Sequence, residues 1–319
     1  MTPKRILVTG ASGCIGHYIT EALIQETNHE LYLLVRNPNK LQIDPKSRPG
    51  ITVLQGSMRE IRQFAKLLHT IDTAVLAATS WGGADIFDTN VFRTHELLNL
   101  LDPDCQQVIY FSTASIMDSK NQLLKEAGVI GTDYIRSKYN CLSRLSELAI
   151  APKITTLFPT LVVGGDAQKP YSHLTTGIPE VVKWVDLIRF IKADGSFHFI
   201  HGRDIAQVVR YLIDHPPLLK EQRSFVLGQN RLTVNQAIAE ICAYLNKKIY
   251  FRIPLSWALA NSLIVLFRIQ MAAWDRFCLR YRHFTYENPV NPSSLGLPNY
   301  CATLSDVLKI YGIPPGGKH

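Results

Sequence analysis

Tyr134 and Lys138, in the run YIRSK, lie four residues apart. On a helix that spacing places both side chains on one face. A tyrosine hydroxyl, with an ordinary pKa of ~10, is a poor base at neutral pH. A lysine ammonium beside it stabilises the phenolate and brings that pKa down. Tyr134 could then take or give a hydroxyl proton while a substrate is oxidised or reduced. A Y-x-x-x-K spacing also arises by chance, so the pair gains meaning only from the elements that position it.

Those elements begin at residues 4–16, KRILVTGASGCIG. Ile6, Leu7 and Val8 form a short apolar run suited to a parallel strand covered on both faces. Gly10, Gly13 and Gly16 follow at three-residue intervals, and a helical pattern continues through Ile19, Leu23 and Ile24. Glycines at such a corner let the backbone turn tightly and approach a pyrophosphate, while the helix N-terminus behind them offers unpaired N–H groups. The alternative is a glycine-rich surface turn. Beyond it, strand runs at 31–35, 51–54, 73–77, 108–111, 154–157 and 224–227 alternate with helical stretches at 15–25, 59–68, 89–101, 134–150 and 200–213. That alternation predicts an α/β, Rossmann-type, doubly wound parallel sheet with a smaller, discontinuous C-terminal substrate lobe. Residues 1–163 and 196–228 are expected to form the nucleotide domain, and 164–195 with 229–319 the lobe.

The corner reads Thr9-Gly-x-x-Gly-x-x-Gly rather than the more usual G-x-G-x-x-G. With YIRSK and the strand-end run YFSTAS, it resembles the extended branch of the short-chain dehydrogenase/reductase superfamily, which includes NAD-dependent epimerases and dehydratases. Weaker matches carry the resemblance from about residue 4 to 310: Asn90-Val91 with Thr94 and Leu97, Phe158-Pro159-Thr160 with Gly164, HFIHGRDIA around Asp204, and SSLGLP at 293–298. The resemblance implies that Thr113 hydrogen-bonds the substrate oxygen, with Ser112 and Ser115 as neighbours that a register slip could substitute. Strand-end hydroxyls that merely satisfy loop backbone are the alternative. It further implies that Tyr134 is the acid/base, that Lys138 lowers the tyrosine pKa and holds the nicotinamide ribose, and that Asn90 organises a water relay. For the dinucleotide it implies Gly10, Ser12, Gly13, Cys14, Ile15 and Gly16 at the corner. Arg36, Ser57, Met58, Ala77, Ala78, Lys138 and Pro159 complete that set along the strand ends. Three departures stand out: Leu76 replaces a common His, Ser57 a common Asp, and Phe158 an arginine that often helps hold a sugar nucleotide.

NAD-selective sites usually place an acid after the second strand to bind the ribose hydroxyls. Here that strand ends LLVRNPNK, so Arg36 takes the position, with Lys40 nearby. A guanidinium can stack on adenine and pair with a 2′-phosphate, so NADP(H) is expected in preference to NAD(H). A solvated basic loop is the alternative reading.

At 319 residues, 46% hydrophobic and 19% charged, the chain has the composition of an ordinary globular protein. Its six cysteines (14, 105, 141, 242, 278 and 301) show no metal spacing, so no metal is expected. Scattered cysteines and a strand starting by residue 5, with no room for an apolar signal, lead to the expectation of a cytoplasmic protein with free thiols. The net charge of +8 carries no nucleic-acid motif with it, and a basic field around an anionic cofactor or substrate accounts for it equally well. Residues 253–282 are apolar in part and rich in arginine toward their end. They are compatible with peripheral membrane contact or with a helix lining the substrate lobe. The expected partner is therefore a small-molecule substrate, with a homodimer through the 89–101 and 134–150 helices implied by the resemblance. Trp257, Leu259, Leu263, Leu266, Phe267 and Trp274 suggest that the substrate is hydrophobic. Three functions remain in contention: an NADP(H)-dependent carbonyl or secondary-alcohol oxidoreductase, an NAD-dependent sugar-nucleotide epimerase or dehydratase, and a dinucleotide-binding scaffold or assembly factor.

Overall fold

A computed structural model of the chain describes residues 2–217, 223–255 and 270–316. Seven strands pair in parallel throughout: β1 (Arg5–Thr9), β2 (Glu30–Val35), β3 (Ile51–Gln55), β4 (Thr73–Leu76), β5 (Gln107–Phe111), β6 (Ile154–Pro159) and β7 (Ser224–Leu227). Their order is β7-β6-β5-β4-β1-β2-β3, so the winding reverses between β1 and β4. At such a reversal the connections leave in opposite directions, opening a crevice at the strands' C-terminal ends.

The period-two alternation of β1 explains how the sheet is covered. Ile6 and Val8 point into one core with Ile19 and Leu23 of α1 (Cys14–Glu26) and Val208 and Val209 of α2 (Gly202–Asp214). Leu7 points into the opposite core with Leu97, Leu98 and Cys141. Each of these fully buried aliphatic side chains contributes about 1.5–3 kcal/mol. An apolar run with no polar face is therefore what this doubly covered sheet requires.

The strand runs read from sequence all become strands, whereas the helices need correction. The 59–68 stretch is a run of 3₁₀ turns over Met58–Phe64 followed by a short helix, Ala65–Leu68. Glu60 leaves helical geometry there, folding back to accept from the Ser57 backbone N–H at 2.9 Å. The 89–101 stretch opens as a π turn, Asp88–Arg93, before Thr94–Leu100 becomes α-helical. The 134–150 stretch ends its α-helix early: α3 spans Asp133–Ser143 and 3₁₀ turns follow. The 200–213 stretch begins late, because Phe199–His201 instead pairs with Leu161–Val163 as a two-stranded parallel ribbon.

The lobe assembles from short pieces. Helices Ile178–Lys183 and Val185–Ile188 pack through Val182 and Val185 onto Ile238, Cys242, Leu245 and Leu308. Trp257, Leu259, Leu263, Leu266 and Phe267 lie outside the described residues. Within 270–282, helix Ala273–Tyr281 turns Trp274 inward against Phe158, Val226 and Tyr286, so this aromatic belongs to the protein interior. Tyr286 Oη in turn donates to the Ala114 carbonyl at 2.8 Å, tying this segment to the end of β5. All six cysteines are unpaired. No described helix is long and apolar enough to cross a membrane.

Candidate functional site

The glycine corner has the close contacts that its spacing implies. Gly10 adopts φ +69°, and a Cβ there would lie 2.7 Å from the Ala78 backbone nitrogen. A Cβ on Gly16 would come within 2.0 Å of the Gly10 carbonyl oxygen, so α1 leaves the strand at a distance only glycine permits. Gly13 caps α1 without a side-chain hydrogen bond, and no acidic residue occupies the first turn. The amides beside Cys14 and Ile15 therefore face the crevice with the positive end of the helix dipole behind them. Burial lifts the Cys14 thiol to about 12, so it is a wall and not a nucleophile.

The neighbouring strand ends converge on that corner. Ala77 and Ala78 follow β4, and the Ala78 N–H donates to Thr9 Oγ1 at 3.2 Å. Arg36 stands exposed directly after β2, with no acid in the following seven residues. After β3, Ser57 Oγ donates to Glu60 Oε2 at 3.0 Å and Met58 is buried beneath it. Pro159 closes β6. Ser12, Asn39, Lys40, Gln42 and residues 167–170 line a cleft of about 300 Å³, which brings Lys40 and Lys169 to the rim of the corner. Bare amides, a glycine cradle and cationic rims are what a dinucleotide pyrophosphate needs.

The proton-transfer group is assembled where β5 ends. Thr113 is buried there, its Oγ1 accepting from the Ser115 N–H at 3.3 Å, and its side chain acts to lower the pKa of the Tyr134 hydroxyl. Of the three candidate hydroxyls at this strand end, Thr113 is therefore the one brought to Tyr134. Ser112 Oγ is buried without a partner. One turn along α3, Lys138 is buried, donates from Nζ to the Phe111 carbonyl at 2.8 Å and lies 5.2 Å from the Tyr110 ring centroid.

The lowering of the tyrosine pKa expected from Lys138 together with an oxidised nicotinamide is not produced by Lys138 alone. Burial pushes the Tyr134 phenol above the usual tyrosine value, and the neighbouring Thr113 side chain is what opposes that rise. Lys138 does not bring it down here, because its ammonium points to a backbone carbonyl. Burial instead lowers Lys138 itself from 10.5 to about 8.

Asn90 has a structural task. Oδ1 accepts from the Ser80 N–H at 2.8 Å and Thr79 Oγ1 at 3.1 Å, while Nδ2 donates to the Ser80 carbonyl at 2.9 Å and Ser137 Oγ at 3.0 Å. Its side-chain amide is fully engaged in locking the loop after β4 onto α3, so a water held by this residue would have to use its backbone carbonyl. The π turn is what swings this side chain under the loop.

Two site residues escaped the sequence reading. Trp81, 57% exposed, stacks on the Tyr134 ring with centroids 4.1 Å apart and planes 23° from parallel. His173 meets the indole edge-on at 5.1 Å. Trp81 precedes Gly82 and Gly83, the latter at φ +86°, so a conformationally permissive pair follows the aromatic. A tryptophan followed by two glycines in the loop after a strand was the available signal. Asp204, flagged only by resemblance, accepts from the Tyr300 and Cys301 N–H groups at 2.6 and 3.2 Å, binding α2 to the C-terminal segment.

Comparison with known proteins agrees with this geometry. The fold is similar to that of dTDP-glucose 4,6-dehydratase from Bacillus anthracis str. Ames, solved with NAD, with a TM-score of 0.64 and 14% identity over 97% of this chain and 96% of that one. WbmG from Bordetella bronchiseptica, solved with NAD and UDP, gives a TM-score of 0.64 and 15% identity over 100% of this chain and 99% of that one. A probable pinoresinol-lariciresinol reductase of Arabidopsis thaliana is 31% identical over 78 residues, 24% of this chain and a quarter of that protein's length. The model of the NAD-dependent epimerase/dehydratase family matches residues 6–228, from β1 through β7. By that match the chain belongs to the NAD-dependent epimerase/dehydratase family.

Proposed function

We propose that this protein is an NADP(H)-dependent oxidoreductase acting on a carbonyl or secondary alcohol of a hydrophobic small molecule. The observation that carries the reading is the Tyr134 hydroxyl set beside Thr113 and under Trp81, with Lys138 one turn away. A bound nicotinamide would supply or accept the hydride. Thr113 Oγ1 orients the substrate oxygen and Tyr134 Oη passes it a proton or takes one from it. Lys138 places a positive charge beneath them and holds the ribose. Trp81 on the Tyr134 ring and His173 against the indole put exposed aromatic surface at the reacting position, which suits an apolar substrate.

The competing reading, a sugar-nucleotide epimerase or dehydratase with tightly held NAD, draws on proteins of similar fold that were solved with NAD. Phe158 argues against it, because a fully buried ring stands where an arginine would hold a substrate phosphate. A non-catalytic scaffold would have no use for the Thr113–Tyr134 contact. Arg36, exposed after β2 and without an acidic neighbour in sequence, favours the 2′-phosphate of NADP(H). The test is to identify any dinucleotide released on denaturation and to titrate the emptied protein with NADPH and NADH. Arg36→Asp should weaken NADPH at least tenfold more than NADH, the loss of roughly one charge-assisted pair. Equal losses for both, or stoichiometric NAD⁺ carried through purification, would overturn the assignment.

A further inference from the structure

The short helices Ile178–Lys183 and Val185–Ile188 have a second apolar face that the core does not use. Val182 and Val185 point inward, while Val181, Trp184 and Leu187, spaced three apart, point outward, with Trp184 52% and Leu187 61% exposed. Across a strand pairing of Ile253 with Ile191, the 250–255 segment extends the same surface with Tyr250 (75% exposed), Phe251, Ile253 and Leu255. Phe251 stacks on Phe190 at 4.7 Å, and Arg189 Nη1 donates to the Lys248 carbonyl at 3.2 Å, so the two segments form one continuous face. Residues 178–192 and 247–255 carry six basic side chains against two acidic ones. Their net of four positive charges is half of the chain's +8.

We propose that this face docks on an anionic lipid surface. Exposed apolar area in a single patch marks an interaction site, and a water-soluble partner would need a complementary acidic surface with pockets for protruding rings. A bilayer interface meets both demands at once. Its headgroup layer accepts Trp, Tyr and Phe, and its negative potential attracts Lys183, Lys192, Lys247, Lys248 and Arg252 over about a Debye length. Because the side chains protrude from short helices and not from one long span, the contact is peripheral. Among the described residues, no hydrogen bond, ion pair or ring contact joins this face to Thr113, Tyr134 or the glycine corner.

The experiment is co-sedimentation of the full chain with phosphatidylcholine vesicles with and without 30% phosphatidylglycerol, at 0.1 M and 0.5 M salt. The expected result is binding to the anionic vesicles at low salt, at least roughly tenfold weaker on neutral vesicles or at high salt. Two variants separate the contributions. Trp184→Ser/Leu187→Ser removes the apolar anchor, and Lys192→Glu/Lys248→Glu reverses the local charge. Each should lower vesicle binding about tenfold or more. Their melting temperatures and NADPH titrations should match the parent, so a failure here is distinguishable from a failure of the dinucleotide reading. No binding to anionic vesicles at low salt, or binding that neither variant alters, overturns the proposal. So does a lipid-free shift in oligomeric state caused by the apolar variant, which would make this face an interface between copies of the chain.

Discussion

Lys138→Met separates what the buried ammonium costs the fold from what it contributes to chemistry. Lowering the lysine pKa from 10.5 to about 8 corresponds to ~3 kcal/mol of native-state penalty at neutral pH. Against that, the variant leaves the Phe111 carbonyl without its donor, a loss of ~1–3 kcal/mol. At pH 7 the two nearly cancel, and Lys138→Met should unfold within about 2 kcal/mol of the parent. The pH dependence is the sharper signature. Between pH 8 and 10.5 the unfolded parent retains the lysine proton while the native parent releases it, so parent stability rises with pH relative to the variant. The expected relative gain from pH 7 to 9.5 is ~2 kcal/mol, read by urea unfolding of both proteins at half-unit intervals. Turnover should fall roughly a hundredfold or more below pH 8, where the parent still carries the charge under Tyr134. A stability difference that stays flat from pH 7 to 9.5 would refute the claim that Lys138 is a desolvated ammonium.

Three further outcomes follow from the same geometry. Tyr134→Phe should cut turnover by ~10²–10⁴ while leaving the NADPH titration unchanged; undiminished turnover would remove Tyr134 from the chemistry. Trp81→Ala should raise KM for aromatic carbonyl compounds about fivefold, the equivalent of ~1 kcal/mol of ring stacking, with little change for small aliphatic ones; a uniform change would mean the indole only covers the tyrosine. Because burial holds Tyr134 as the neutral phenol, reduction should proceed well at pH 7 and oxidation should climb with pH; parallel pH profiles for the two directions would contradict that.

The fold was legible because its signals are local. An apolar β-branched run with no polar face, such as Ile6 to Val8, can only be a covered strand, and glycines at 10, 13 and 16 mark a corner that no side chain can occupy. The helices were less legible because side chains override their periodicity. Glu60 leaves helical geometry to cap Ser57, and the Asn90 segment opens into a π turn so that its amide can reach Ser80 and Ser137. Neither exchange is encoded in hydrophobic spacing, since each trades a regular backbone bond for a tertiary one.

The chemistry of the site was legible in its parts and not in its protonation. Residue type and spacing bring Tyr134 and Lys138 onto one helix face and Thr113 to a strand end, but a pKa depends on everything packed around the group. Three features decide it here. Trp81 covers the phenol ring, Phe111 draws the ammonium to its carbonyl, and no carboxylate is hydrogen-bonded or ion-paired to Lys138 among the described residues. Trp81 and Phe111 come from different strand ends, separated by tens of residues in the chain. Burial therefore acts on both groups in the same sense, toward neutral lysine and neutral tyrosine, where sequence reasoning expected one charge to stabilise the other. With Lys138 at about 8, the pair at neutral pH is predominantly ammonium and phenol. That is the proton-loaded state, ready to protonate a forming alkoxide. Under the proposed reaction, the packing that hid this state from the sequence is also what prepares Tyr134 to donate its proton.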